Sequence, residues 1–357
     1  MADTISIDGS QGEGGGQILR TSLALAAVTG QAVRLSNIRR GRPKPGLAAQ
    51  HLTSCRAVAA ACGGELAGDR LGSQAIELHP RKRAGGEYLF DVSAESASAG
   101  STGLVFQALL PPLLFAGQAS HLILRGGTDV PWSPVYYYLT EVFAPIVRMM
   151  GAQFTLMRKR AGWYPAGGGE IEAEIQPLTA KLQPMTMTAR GELRSLTCHS
   201  LSSDRLPWHI VTRQGQGARQ ALGLEGRSLV CETEQLPSSS PGTTCLAVAR
   251  FERGAGGFTA LGKRGKPAEE VGAEAGLALR DFLRGRATVD EHLADQLLLY
   301  AALAEGTSVY LAPQATEHLH TNALVLRQLV GVETQIVDSP EGARVSLTGL
   351  GLKPDEG

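Results

Sequence analysis

Hydrophobic residues along this chain recur with a period of two in short segments and a period near 3.6 in longer ones, which predicts strands alternating with helices. The first stretch contains a strand "TISIDG", a helix "GQILRTSLALAAVTG", a strand "AVRLSNIR", a helix "GLAAQHLTSCRAVAAACGG", and strands near "GELAG" and "AIELHP". The same βαβαββ order recurs from "EYLFDVS" to "EIEAEIQ" and again from "DEHLADQLLLYAALAEG" to "ARVSLTG".

The second and third copies are separated by a segment with strands and two helical patterns of its own. The economical interpretation is an α/β (α+β) fold with three βαβαββ repeats and a smaller α/β domain inserted in the third; the alternative is a chance alignment of generic α/β segments. The predicted bounds are a large domain of residues 1–184 plus 288–357, with repeats of about 1–80, 81–178 and 179–184 with 288–350, and an inserted domain of residues 185–287.

Composition and charge bear on three classes of protein: those that attract nucleic acid, those held by disulfides or zinc, and those that span membranes. The formal net charge is zero, so attraction of nucleic acid would need a local basic patch. Five cysteines without C-x-x-C spacing favour reduced thiols over a disulfide framework or a zinc site. The most apolar stretch, "GLVFQALLPPLLFAG", is too short to span a bilayer, and the N-terminus lacks a signal pattern. We therefore expect a cytoplasmic protein with no membrane partner.

A glycine-rich turn, "DGSQGEGGGQILR" at residues 8–20, lies between a predicted strand and helix. Such a turn can present backbone N–H groups to a phosphate, although a purely structural turn explains the glycines equally well. Glu13 would repel a phosphate unless a divalent cation lay between them, so it suggests a metal ligand facing a nucleotide. Arg20, further along the helix, could reach an anion.

A basic segment, "RLSNIRRGRPKPGLAAQH" at residues 34–51, contains no acidic residue before its helix. Guanidinium groups suit phosphate oxygens, so this is the best candidate for a polyanion site; a solvated basic loop is the alternative. Its polar and basic members are Arg34, Arg39, Arg40, Arg42, Lys44, Gln50 and His51.

Two further stretches carry polar residues on predicted helices. Small and hydroxylated residues in "SAESASAGSTGLVFQ", 93–107, precede a helix that carries Gln107, which is a possible anion site or a simple cap. In "VDEHLADQLLLYAALA", Asp295 lies near the edge of an apolar face and could complete a divalent site with Glu13, while His292 could stack on a base. An exposed acidic residue near a capped start is the alternative.

The stretch "ATEHLHTNALVL", residues 315–326, places His318 and His320 just before a helix that we predict to begin near Thr321 or Asn322. The positive end of the helix dipole disfavours imidazolium, and neutral imidazole is a nucleophile. This position suits a phosphoramidate intermediate better than a metal. The alternative is that both histidines are polar loop residues.

Taken together, these stretches resemble the RNA 3′-terminal phosphate cyclase family over nearly the whole chain. The resemblance is strongest in "DGSQGEGGGQILRTSLALAAVTG", "IRRGRPKPGLAAQHL", "GGTDVPWSPVYYY", "GWYPAGGGE", "HLADQLLLYAALA" and "HLHTN". It implies three βαβαββ repeats, each like the C-terminal domain of translation initiation factor three, and an inserted small domain.

The resemblance also implies an ATP-dependent reaction that needs Mg²⁺ or Mn²⁺ and an RNA with a 3′-terminal phosphate. A histidine takes AMP from ATP and releases pyrophosphate, and the AMP then passes to the RNA 3′-phosphate. The neighbouring 2′-hydroxyl attacks the activated phosphate, which yields a 2′,3′-cyclic phosphate and free AMP.

The family's nucleophilic histidine precedes a threonine by three positions, so the resemblance implies His318 as the catalytic residue. It places Glu13 and Asp295 at the metal and nucleotide, and it places His292 and Pro134 on either side of adenine. The full set it implies for ATP or AMP is Glu13, Gln107, Pro134, His292, Leu293, Ala294, Asp295 and Gln296, and for RNA and phosphates it is Arg20, Arg39, Arg42 and Gln50.

Two other functions remain open from sequence. A related branch acts in ribosome assembly without the catalytic histidine, and retention of the H-x-x-T pattern here favours the catalytic branch. Enolpyruvyl transferases have comparable repeats and basic phosphate sites, and fold analogy alone does not exclude them. They bind no ATP, so turnover of phosphoenolpyruvate would identify one.

Overall fold

Strands and helices alternate along most of this chain, as the hydrophobic pattern predicts. A computed structural model of the protein describes residues 4–94, 99–223 and 229–355, and within them sixteen strands form four four-stranded sheets. Each sheet contains both parallel and antiparallel pairs, and helices connect or cover the strands. The mixed α/β class predicted from sequence is therefore confirmed.

The first unit contains the glycine-rich turn. Its sheet order is β1-β2-β4-β3, in which β1 and β2 are parallel. The first helix ends where Gly30 adopts a left-handed conformation, as helices commonly do. The elements are β1 (Ile5–Asp8), α1 (Gly16–Thr29), β2 (Val33–Ser36), α2 (Ala49–Ala61), β3 (Glu65–Ala67) and β4 (Ile76–His79).

The second unit has the equivalent sheet order β5-β6-β8-β7. Its last strand shows the period-two pattern directly, since Ile171, Ala173 and Ile175 are buried and the glutamates between them are not. The elements are β5 (Gly86–Asp91), α3 (Thr102–Leu114), β6 (Ser120–Gly126), α4 (Tyr136–Tyr138), a π-helical turn (Leu139–Phe143), α5 (Ala144–Met149), β7 (Gln153–Arg160) and β8 (Gly169–Gln176).

An inserted unit follows the short strand β9 (Thr186–Met187). Its sheet order is β11-β10-β12-β13, and it has a hydrophobic cluster separate from that of the remaining chain. Its two helices pack closely because Gly217 and Gly272 leave no side chain between their backbones. The elements are β10 (Leu193–Ser203), α6 (His209–Leu222), β11 (Val230–Leu236), β12 (Thr243–Phe251), β13 (Gly254–Leu261) and α7 (Ala268–Arg284).

The third unit is completed after the insertion, with the sheet order β15-β16-β14-β9. Because β9 pairs with β14, the chain leaves this sheet after Met187, a few residues beyond the predicted bound of 184. No helix in the described ranges is long and apolar enough to cross a membrane. The elements are α8 (Glu291–Leu303), β14 (Glu305–Ala312), α9 (Glu317–Val330), β15 (Thr334–Ser339) and β16 (Gly342–Leu350).

Candidate active site

A cleft of about 910 Å³ lies between the inserted unit and the other three units. The inserted unit contributes Phe258 and Lys263 to its lining, and the second unit contributes Trp132. Seven of the residues singled out from sequence also line it: Arg20, Gln107, Pro134, His292, Asp295, Gln296 and His318. Long-range packing thus brings together residues from all four units, which marks the cleft as the candidate site.

Helix α9 begins earlier than predicted. The predicted start near Thr321 or Asn322 is wrong, because Thr316 caps the helix by accepting a hydrogen bond from the Leu319 N–H at 3.1 Å. His318 therefore lies inside the first turn, where it still feels the positive end of the helix dipole.

The two histidines of α9 differ in their surroundings. His318 is half-buried and lines the cleft, whereas His320 is exposed. Burial lowers the pKa of His318, and the positive charges of His292, Arg20 and Arg42 lower it further. The imidazole of His318 is thus held in its neutral, nucleophilic form near neutral pH.

Thr321 joins the start of α9 to the glycine-rich turn. Its hydroxyl donates to the Glu317 carbonyl at 2.6 Å and accepts from the Glu13 N–H at 2.9 Å. This contact places the Glu13 carboxylate beside His318, with Oε2 at 3.9 Å from Nδ1, while Oε1 accepts a hydrogen bond from Arg42. Among the described residues, Glu13 Oε2 and His318 Nδ1 are buried without a hydrogen-bond partner.

Asp295 is buried on the inner side of α8, at 6% exposure. Gln17 donates to its carboxylate at 2.9 Å, and the Asn322 amide donates to its backbone carbonyl at 2.9 Å. The pKa of Asp295 is raised to about 8, mainly by burial and also by the negative charge of Asp290, although the hydrogen bond from Gln17 and the charge of Arg20 oppose the rise. The described residues contain no cluster of three or more His, Cys, Asp or Glu side chains suited to a metal ion.

Positive charge collects beside the start of α1. Burial lowers the pKa of Arg20 to about 10, and burial with the nearby charges of Arg20 and Arg39 lowers the pKa of His51 to about 3. Gly16 makes this packing possible, because a Cβ there would lie 2.4 Å from His51 Nε2. The half-buried guanidinium of Arg20 at the wall of the cleft is a strong site for an anionic ligand.

Comparisons with known proteins show the family of this chain. The family model described as RNA 3′-terminal phosphate cyclase matches residues 11–336. The chain belongs to this family. The resemblance predicted from the sequence motifs is therefore confirmed.

Relatives of the cyclase family match along almost their whole length. An RNA 3′-terminal phosphate cyclase of Methylococcus capsulatus is 44% identical over 343 residues, which is 95% of each chain. Another, from Gloeothece citriformis, is 41% identical over 91% of this chain and 93% of its own. The cyclase of Archaeoglobus fulgidus is 41% identical over 92% of this chain and 96% of its own.

Several of the residues implied by the cyclase resemblance have structural partners here. The Gln50 side-chain carbonyl accepts from the Ser101 N–H at 2.9 Å, and Arg39 donates to the Gly46 carbonyl at 2.9 Å. The side chains of Leu293 and Ala294 are 0% and 1% exposed in the core, so they are not available to a ligand. Residues 95–98 of the predicted loop before α3 lie outside the described residues.

Two amides on the cleft wall have unused hydrogen-bonding atoms. Gln107 Nε2, a donor, and Gln296 Oε1, an acceptor, are buried without a partner within the described residues, and both residues line the cleft. Buried polar atoms are normally paired, so these two mark where a ligand with complementary edges would bind. Sequence patterns indicated the two residues but not the pairing state of their atoms.

Sequence reasoning missed three contributors to the site. Gln17 and Asn322 hold Asp295, and Trp132 lines the cleft. Asn322 was considered only as a helix cap, and Gln17 carried no pattern that distinguishes it from a solvated helix residue. The contact of Gln17 with Asp295 joins segments 278 residues apart in the chain, for which a single sequence holds no local signal.

Proposed function

We propose that this protein is an ATP-dependent RNA 3′-terminal phosphate cyclase that uses His318 as its nucleophile. The single observation that carries the proposal is the placement of His318 in the first turn of α9, at the wall of a cleft that also contains Arg20. The lowered pKa of His318 favours its neutral imidazole form. The same helix end and guanidinium favour the anionic phosphoryl group that would form on the imidazole.

Three steps follow from this assignment. An imidazole nitrogen of His318 attacks the α-phosphorus of ATP; a P–N bond forms, the bond to pyrophosphate breaks, and the imidazole loses its proton. An oxygen of the RNA 3′-phosphate then attacks the adenylyl phosphorus, and the P–N bond breaks as the imidazole takes up a proton and leaves. Finally the 2′-hydroxyl attacks the terminal RNA phosphorus, AMP leaves, and the hydroxyl proton is lost as the 2′,3′-cyclic phosphate forms.

The unused amide atoms of Gln107 and Gln296 support a nucleobase in the cleft, because adenine offers both hydrogen-bond donors and acceptors. Pro134 and the 63%-exposed His292 side chain line the same cleft and would flank the base. Among the predicted phosphate ligands, Arg20 is the one in the cleft wall. Arg42 would have to exchange its contact with Glu13 for a phosphate.

We propose that the carboxylates of Glu13 and Asp295, in their ionised form, would hold Mg²⁺ or Mn²⁺. The free, buried Glu13 Oε2 is the observation that supports this, since oxygen ligands are what hard cations take. Because two carboxylates are too few for a cation site of six or more oxygens, phosphate oxygens and water would supply the rest. The cation would offset charge on the triphosphate.

The finer architecture belongs to the same proposal. Three sheets have corresponding strand orders, so we propose that they are repeats of one βαβαββ unit, like the C-terminal domain of translation initiation factor three, with the small domain inserted in the third. A cytoplasmic location would suit the free cysteines seen among the described residues.

The test is intact mass spectrometry after incubation with ATP and Mn²⁺, followed by peptide mapping. One AMP is expected on the peptide that contains His318. The adduct should be absent in His318→Ala and retained in the matched control His320→Ala, whose side chain is exposed. Retention in His318→Ala with loss in His320→Ala would contradict the assignment. No adduct while ATP demonstrably binds would favour a non-catalytic RNA-binding relative, and turnover of phosphoenolpyruvate would favour an enolpyruvyl transferase.

A further inference from the structure

Trp132 is the most unusual residue at the cleft. Its side chain lines the cleft yet is 98% exposed, and its backbone has a φ of +63°. Large aromatic residues are normally well buried, and residues other than glycine rarely adopt a left-handed backbone conformation. Ser133 secures the turn by donating to the Val130 carbonyl at 2.9 Å. The fold thus holds an indole face out to solvent at the mouth of the candidate site.

The adenine of the proposed function does not use this indole. It would lie deeper, where Gln107 and Gln296 have buried unpaired atoms, and between Pro134 and His292. A second base must approach the same cleft, since the RNA terminal phosphate has to reach the adenylylated His318. An exposed indole at the mouth is placed to receive that base.

The inserted unit supplies positive charge at the cleft, whose lining includes Lys263, the residue before Arg264. Lys263 and Arg264 follow β13, are exposed, and pair with no acidic side chain in the part of the chain that the structure describes. Their neighbour Lys266 differs, because it is paired with Glu274. Since the net charge of the chain is zero, unpaired local cations are what would attract an RNA backbone.

We propose that Trp132 stacks on the 3′-terminal base of a single-stranded RNA and that Lys263 and Arg264 of the inserted unit bind the phosphates that precede it. The proposal rests on the proposed function, which brings the terminal phosphate to His318. Stacking tolerates any base because every base has an aromatic face, so the site selects an unpaired RNA end rather than a sequence. The inserted unit would thus form one side of an RNA-binding surface.

Stacking is tested by binding a 3′-phosphorylated RNA oligomer in the absence of ATP. Trp132→Ala should weaken binding about ten-fold, the effect of losing one modest base–aromatic stack, and Trp132→Phe should retain most of the affinity. Wild type should also bind an oligomer with an abasic terminal nucleotide about ten-fold more weakly than the natural oligomer. Trp132→Ala should bind the two oligomers equally, because the stack is already lost. The matched control is Trp208→Ala, a half-exposed tryptophan outside the cleft lining.

The charged wall is tested by salt dependence. Lys263→Ala combined with Arg264→Ala should reduce the slope of log K against log salt by about 1.4, since each phosphate contact on a single strand contributes about 0.7. Lys82→Ala is the charge control. The segment around Lys82 contacts the C-terminal end of α2, whereas Gln50, a predicted phosphate-binding residue, lies at the N-terminal end of that helix. An unchanged slope in the double variant would overturn the role of the inserted unit.

Protein–AMP formation without RNA separates this proposal from the proposed function. Equal binding of natural and abasic oligomers by wild type would overturn stacking. A loss of protein–AMP in Trp132→Ala as large as its loss of RNA affinity would assign Trp132 to adenine instead. Competition by an acidic peptide as effective as the oligomer would show a non-specific polyanion site and overturn the proposal. Absence of protein–AMP in wild type, with the binding results as expected, would refute the proposed function and leave the RNA site standing.

Discussion

Gly12 shows what one missing side chain does in this site. Its φ is +59°, and a Cβ there would lie 2.1 Å from Thr321 Oγ1, so only glycine lets the turn approach α9 closely. That approach makes the hydrogen bond from the Glu13 N–H to Thr321 and places Glu13 beside His318. The glycine serves the packing of two distant segments as well as the shape of the turn.

Gly12→Ala should therefore reduce protein–AMP formation more than ten-fold, because the added methyl group pushes α9 away from the turn. The matched control is Gly14→Ala, which has a nearly equal φ of +61° but whose Cβ meets nothing closer than the Ser10 carbonyl at 3.4 Å. Both variants should lose about 1–2 kcal/mol of stability from the left-handed backbone. Equal losses of protein–AMP formation in the two variants would show that contact with Thr321 is irrelevant.

At the scale of elements, α9 is the helix that presents the nucleophile. Its first turn contains His318, and its start depends on one side-chain cap, Thr316. Leu319, buried at 0% exposure, anchors the same turn in the core and sets which way the neighbouring histidines point. Cap and anchor together determine that His318, and not His320, faces the cleft.

Thr316→Ala should lower the free energy of unfolding by about 1 kcal/mol, since the Leu319 N–H loses its acceptor, and should lower protein–AMP formation several-fold as the first turn frays. Thr316→Ser keeps a capping hydroxyl and should behave like wild type. Denaturant unfolding and the initial rate of adduct formation measure the two effects. Full adduct formation in a destabilised Thr316→Ala would show that the cap does not position His318.

At the scale of the whole molecule, a buried junction holds the inserted unit against the second unit. Arg158 of β7 lies 4.7 Å from the centre of the Tyr136 ring and 5.0 Å from that of Tyr137, and it pairs with Glu234 of β11 at 3.0 Å. His199 of β10 stacks on Tyr137 with ring centres 4.0 Å apart. This junction helps to set the distance between the two walls of the cleft.

The burial of His199 in this junction predicts that the folded protein loses stability at acidic pH. Burial, together with the positive charges of Arg250 and Arg158, lowers the pKa of His199 to about 4. The exposed Glu232 carboxylate, 3.1 Å from Nδ1, acts in the opposite direction, but burial dominates because the imidazole is almost fully enclosed. An unfolded histidine titrates near 6.5, so between about pH 6.5 and 4 the unfolded chain binds more protons. The stability due to neutral His199 is complete above pH 6.5 and is lost as the pH falls toward 4, by up to about 3 kcal/mol.

The measurement is the free energy of unfolding against pH in wild type and in His199→Gln, which does not titrate. The slope between pH 6.5 and 4 should be smaller in the variant. It should not vanish, because the lowered pKa of His51 contributes in the same direction. Identical slopes in the two proteins would show that His199 is not a source of the acid sensitivity.

The sequence by itself determined the succession of elements and the kinds of chemistry available. Hydrophobic periodicity is local, so the helices and strands could be predicted close to their observed bounds. The motifs and their order along the chain were sufficient to identify the family. The start of α9 could not be predicted from sequence, because Thr316, Thr321 and Asn322 are all good N-cap residues and tertiary contacts decide among them. Thr321 is taken by the Glu13 N–H, which leaves Thr316 to cap the helix.

Only the tertiary structure decided the protonation states and the shape of the site. The raised pKa of Asp295 and the lowered pKa values of His51 and His318 come mainly from burial, and that burial involves segments that are distant in the chain. The part played by the inserted unit as a cleft wall also depends on how it packs against the second unit. Burial and cleft geometry are properties of long-range packing, whereas periodicity and motifs are properties of neighbouring residues.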